Sequence, residues 1–158
     1  MMSTAQVRTG SELESPSLLL LIRRIYLLMS KHMERTAEEL GLTTAQIVAL
    51  GRLYRADGAE QRVLCDGMGV TSPTLTGIMD GLVKRGYVER RLHPGDARVK
   101  QVFLTAAGRV LSARLHTLAA TAQTQVLAGF SPAEVAQLTA LLERIAANLE
   151  QCPLPAAS

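Results

Sequence analysis

Apolar positions recur at intervals of three and four along most of the chain, the pattern of helices that pack by one face. Leu18, Ile22, Ile25, Met29 and Met33 form the first such stripe. Ser15-Pro16 reads as an N-cap followed by proline at the first helical position, and Gly41 reads as the stop after a helix running to about Glu39. A second helix begins at Thr43, which makes a capping box with Gln46, and presents Ile47, Leu50 and Leu53 on one face before the turn dipeptide Asp57-Gly58. A short third helix fits Glu60 to Gly67 and buries Val63 and Leu64. The fourth, VTSPTLTGIMDGLVKRG, has Ser72 as cap and Pro73 at its first position. Its buried face is Leu75, Ile78, Met79, Leu82 and Val83, and Gly86 closes it. Gly77 and Gly81 inside that helix each cost about 1 kcal/mol relative to Ala, so each needs a reason, and close approach of another backbone is one.

The period then shortens. Tyr87–Leu92 and Val99–Thr105 are short β-branched or aromatic stretches separated by the turn cluster His93-Pro94-Gly95-Asp96, which predicts a β-hairpin. Thr105 caps a long helix with Leu111, Leu115, Leu118, Ala122 and Val126 on one side. Ser131-Pro132-Ala133-Glu134 is a second capping box. It opens a last helix with Leu138, Leu141, Leu142, Ile145 and Leu149 on one face, ended by Cys152-Pro153. The expected class is mainly α with a small β wing.

Composition narrows the function. With 158 residues, 47% hydrophobic and 20% charged, the chain has the make-up of a folded protein with room for one domain or two small lobes sharing a core. Aromatics are only 3%, against a sugar-stacking site or the platforms that hold single-stranded nucleic acid. Two cysteines, Cys65 and Cys152, make no disulfide framework and fit a reducing compartment. The apolar run Leu18–Ile22 falls far short of the roughly 20 residues of a membrane span, and the N-terminal segment lacks the layout of a secretory signal. A cytoplasmic protein is expected. No nucleophile elbow, phosphate-binding glycine loop or paired acid–base histidine is present, so neither an enzyme nor a cofactor is indicated. His32, His93 and His116 show no metal-ligand spacing.

Charge is uneven. The formal net charge of +3 lies wholly in residues 42–106, and residues 84–100 hold six basic groups against two acidic ones. A solvated surface hairpin is the plain reading of that cluster. A polyanion partner is the sharper one, because a clustered patch is the footprint of phosphate binding. Three helices followed by a basic hairpin is the layout of a winged helix-turn-helix. The third helix of such a unit enters the major groove, where short side chains permit close approach. Ser72, Thr74 and Thr76 are the candidates for base edges and nearby phosphates. Lys84, Arg85, Arg90, Arg91 and Lys100 are candidates for backbone phosphate, and Arg98 near the hairpin tip for a minor groove.

The sequence resembles the MarR (multiple antibiotic resistance regulator) transcription factors. The likeness is carried by LTTAQ at 42–46, SPTLTGIMDGLVKRGYVERR at 72–91, Asp96-Ala97-Arg98, and FLTAAGR at 103–109. It implies a single MarR-type domain over 1–158, with a winged lobe at 42–106 and helical dimerisation segments at 15–41 and 107–150. A homodimer would then spread two lobes over a pseudo-palindromic operator in double-stranded DNA. Asp96 matches the acid that stabilises the wing and Arg98 the minor-groove arginine. One departure stands out: family members often carry a groove-facing arginine where this chain has Gly77 or Gly81, which shifts readout toward Thr74, Thr76, the wing and DNA shape.

Regulation follows the same resemblance. A repressor is expected, because a compact dimer has no segment left over to recruit polymerase. A small amphipathic or phenolic ligand is expected to relieve it, with Tyr26, Met29, Met33 and Arg55 as candidate walls. Methionines at helical spacing are also ordinary core, and Cys65 is either a small buried apolar residue or an oxidant sensor. A winged-helix module that binds an acidic protein instead of DNA is the remaining alternative.

Overall fold

The computed structural model describes residues 17–151, apart from the side chains of Ala97 and Arg98. The predicted Ser15-Pro16 cap, Cys152 and the Cys152-Pro153 stop lie outside the described residues. The chain forms two compact units, one up to Val110 and one from Leu111 onward.

In the first unit, α1 (Leu18–Leu40) ends where predicted, on Gly41 at φ 62°, and the Leu42 N–H donates to the Ala37 carbonyl at 2.8 Å. Helix α2 (Thr44–Arg55) starts from the predicted capping box. The Gln46 N–H donates to Thr43 Oγ1 at 3.2 Å and the Thr43 N–H to Gln46 Oε1 at 3.0 Å. A two-residue strand, β1 (Ala59–Glu60), precedes α3 (Gln61–Met68) and α4 (Ser72–Lys84). Then come β2 (Val88–His93), β3 (Asp96–Leu104) and the first turn of α5 (Ala106–Val126). The sheet is antiparallel in the order β1-β3-β2, with Arg90 opposite Val102 and a register shift between Leu92 and His93 beside the turn. Leu50, Leu53, Leu64, Leu75, Met79, Leu82, Val88, Val102 and Leu104 make the core between helices and sheet. Helix α1 contributes only Ala37 to buried residues and leaves Leu18–Leu21, Tyr26–Met29 and Met33 exposed.

Four details differ from the sequence reading. The hairpin is two strands of a three-stranded sheet, because β1 is too short to show alternation. Helix α3 buries Leu64 and Cys65 while Val63 is 58% exposed, since two turns of helix give the periodicity too little length to fix its phase. Val83 is 40% exposed and Ile78 only half-buried, so the inner face of α4 is the narrower set Leu75, Met79 and Leu82. The α4 cap is Thr71, and Ser72 is already helical.

The glycines sort by cause. A Cβ at Gly81 would collide with the Gln46 carboxamide of α2, so its close neighbour is a side chain rather than the backbone anticipated. A Cβ at Gly77 would meet nothing within 4 Å. True backbone contact occurs at Gly108, where a Cβ would run into the Tyr87 carbonyl oxygen.

In the second unit, α5 continues to Val126 and α6 spans Pro132–Gln151. Its capping box is formed as predicted: the Ser131 N–H donates to Glu134 Oε2 at 2.8 Å and the Glu134 N–H to Ser131 Oγ at 3.3 Å. Ser112 and Leu115 are buried on α5, whereas α6 buries no residue and leaves Leu138, Leu141, Leu142 and Leu149 exposed. Among the described residues, no helix is long and apolar enough to cross a membrane, and no three His, Cys, Asp or Glu side chains cluster as metal ligands.

Candidate nucleic-acid interface

Helix α4 is seated by its apolar face, which turns Ser72, Thr74, Thr76, Gly77 and Asp80 outward. Proline in its first turn fits the helix without forfeiting an intrahelical bond. Local hydrogen bonds order the outward hydroxyls. Thr74 Oγ1 lies 2.9 Å from Thr71 Oγ1, and the Thr76 hydroxyl donates to the Ser72 carbonyl at 2.9 Å. Thr76 has therefore given its proton to its own helix and offers oxygen lone pairs and a methyl group outward. Beneath the first turn, Ser72 Oγ lies 3.8 Å from the sulfur of Cys65, a buried free thiol.

The end of α4 turns into the wing at Gly86, φ 72°, where the Tyr87 N–H donates to the Leu82 carbonyl at 3.0 Å. Thr105 locks the other end of the hairpin. Its hydroxyl donates to the Gly86 carbonyl at 2.6 Å and accepts the Gly108 N–H at 3.0 Å, capping α5 as predicted. Asp57 holds the sheet from the α2 side: one carboxylate oxygen accepts the Leu104 N–H at 2.8 Å and the other pairs with Arg109. At the tip, the Gly95 N–H donates to His93 Nδ1 at 3.1 Å.

The basic residues of the 84–100 cluster are brought onto this one lobe, but in different situations. Arg90 reaches back from β2 to α4, where Nη1 donates to Asp80 Oδ1 at 2.6 Å and Nη2 to the Thr76 carbonyl at 3.2 Å. Arg91 pairs with Glu89 and lies 4.5 Å from the Phe103 ring centroid, a cation–π contact. Arg85 caps α4, with Nη1 3.6 Å from where a Gly41 Cβ would stand, so it neighbours the C-terminus of α1. Lys84 and Lys100 are exposed, and no ion pair is formed by either among the described residues. Asp96 opens β3 and faces His93 across the turn. Tyr26, Met29 and Met33 are exposed on α1, and Arg55 is exposed at the end of α2. The sequence marks Asp57 only as a turn residue and assigns no individual role to Asp80, Thr71 or Arg109. Thr71 had a signal in the Thr71-Ser72-Pro73 run, where either hydroxyl is a possible cap.

The sequence profile of the MarR family matches residues 40–99, from the last residue of α1 through the wing turn into β3. A crystal structure of the transcriptional regulator PA3341 is 34% identical, covers 84% of this chain and 98% of its own, and superposes with a TM-score of 0.75. The chain belongs to the MarR family. A MarR-family regulator from Silicibacter pomeroyi is 27% identical over 89% of this chain and 93% of its own, with a TM-score of 0.73. The S. aureus MepR–DNA complex, at 23% identity and a TM-score of 0.75, covers 85% of this chain and 99% of its own and shares its fold. MarR-family proteins are transcriptional regulators, so this chain is a regulator with a DNA-binding winged helix and not an enzyme.

Proposed function

We propose that this MarR-family regulator acts in the cytoplasm as a homodimeric repressor on a pseudo-palindromic operator, and that a small amphipathic or phenolic ligand relieves repression. The observation that carries the DNA reading is the hydroxyl-bearing outer face of α4, flanked by basic residues on the same lobe. Ser72, Thr74 and Thr76 read base edges and adjoining phosphates. Their lone pairs suit the amino groups of adenine and cytosine, and the threonine methyls suit thymine. Lys84, Arg85, Arg91 and Lys100 meet phosphate, Arg98 enters the minor groove, and Asp96 holds the wing turn. MepR, similar in fold, has been captured on DNA. Dimerisation is favoured by the exposed leucines of α1 and α6, an apolar surface of the kind that marks interfaces.

Tyr26, Met29, Met33 and Arg55 supply apolar surface and a cation for an amphipathic acid, whose effect is bounded by its differential affinity for the two lobe spacings. A random-duplex pool passed over the full chain tests the reading. Enrichment of a two-fold symmetric sequence supports it, and binding of acidic protein without duplex affinity at low salt favours the protein-binding module instead. Failure of every compound in a phenolic and drug panel to alter DNA affinity removes the ligand from the scheme.

A further inference from the structure

We infer that Arg90 and Asp80 form a clasp that fixes the wing against helix α4, making Arg90 a positioning residue rather than a phosphate ligand. The inference deepens the DNA-binding reading above and rests on it. The guanidinium of Arg90 grips two acceptors one turn apart on α4, the Asp80 carboxylate at 2.6 Å and the Thr76 carbonyl at 3.2 Å. A planar fork spans a side chain and a main-chain oxygen together, which a lysine ammonium does not reproduce. Both terminal nitrogens of Arg90 are thereby turned toward the helix, and its side chain is 30% exposed.

Asp80 is the other half of the clasp. A carboxylate with its side chain 60% exposed on the outer face of α4 repels phosphate and weakens DNA binding by simple charge counting. Its position is explained if its partner is the wing. Helix and wing are the two parts taken to engage DNA together, and linked elements reinforce each other only while the joint holds their spacing. Arg91, by contrast, pairs within its own strand with Glu89 and ties nothing to α4.

The test uses the full chain and the duplex that the wild-type protein selects from a random pool, read by fluorescence anisotropy. Arg90→Lys and Asp80→Asn should each weaken binding by roughly five- to tenfold, and the double variant no further, because they break one coupled unit. The salt dependence of Arg90→Ala should stay that of wild type. Tighter binding by Asp80→Asn overturns the clasp. So does wild-type affinity for Arg90→Lys together with a salt slope reduced by about one ion in Arg90→Ala, which marks a direct phosphate contact. A readout in the free protein decides the same point without DNA: backbone 15N relaxation should show the β2–β3 amides gaining mobility in both conservative variants, with α2 unchanged. Unaltered wing mobility overturns the clasp. Absence of any selected duplex overturns the DNA-binding reading by itself, and the relaxation result still decides the clasp.

Discussion

Glycines in this chain separate three physical causes that look alike in sequence. Gly41 and Gly86 end helices in the left-handed region, and both stops were legible because a helix end is a local event. Gly108 sits in the first turn of α5 like any helix former, yet a Cβ there meets the Tyr87 carbonyl. Gly77 is also helical and faces open space. The same substitution therefore has opposite signs. Gly77→Ala should stabilise by about 0.5–1 kcal/mol through helix propensity, while Gly108→Ala should destabilise by about 1–3 kcal/mol through overpacking against backbone. Denaturant midpoints at constant slope check both. Nothing local distinguishes the two positions, because Tyr87 is brought to Gly108 only by the closed hairpin.

Capping explains why element boundaries were readable while some of their packing was not. Both capping boxes, Thr43 with Gln46 and Ser131 with Glu134, span three residues and formed as the sequence indicated. Asp57 bonds Leu104 47 positions away and pairs with Arg109 52 positions away, distances over which no periodicity carries a signal. The strand β1 has only two residues and shows no alternation, and Arg90 meets Asp80, ten positions earlier, only because the chain turns back between α4 and β2. The second box also makes a pH prediction. Hydrogen bonds from the Ser131 backbone and then its hydroxyl hold the Glu134 carboxyl below its ordinary pKa. A carboxyl lowered in the folded state stabilises the α6 N-terminus fully above its ordinary, unfolded value, and that contribution is lost as pH falls through the lowered folded value. A carbon-detected NMR titration should place Glu134 below the ordinary glutamate value, and Ser131→Ala, which removes the hydroxyl bond, should raise it part of the way back. A Glu134 titration that ignores Ser131→Ala would show that the Ser131 hydroxyl does not reach the carboxylate in solution.

At the scale of the molecule, the first and last helices carry the stripes that periodicity predicted, but the chain alone covers little of them. Helix α1 buries only Ala37, and α6 buries nothing. Periodicity reports that a face is apolar and is silent on whether the same chain or a second copy covers it. A second copy is the expected cover. Sedimentation at micromolar concentration should give a dimer, and alanine at Leu141 and Leu142 should weaken it by about 2 kcal/mol or more if those side chains lie in the interface. A folded monomer at that concentration would contradict the assignment.

Binding of duplex DNA by the winged lobe is the claim on which the rest depends, and its salt dependence tests it most directly. Affinity for the selected duplex should fall linearly on a log–log plot against salt. Lys84→Ala should weaken all duplexes alike and reduce the slope by about one ion, whereas Arg98→Ala should lose roughly 1–3 kcal/mol and lose most on sites with A·T-rich flanks. Asp96→Ala should also lose affinity although it removes a negative charge. A protein that binds no duplex at low salt, or binds it with no dependence on salt, would contradict the account.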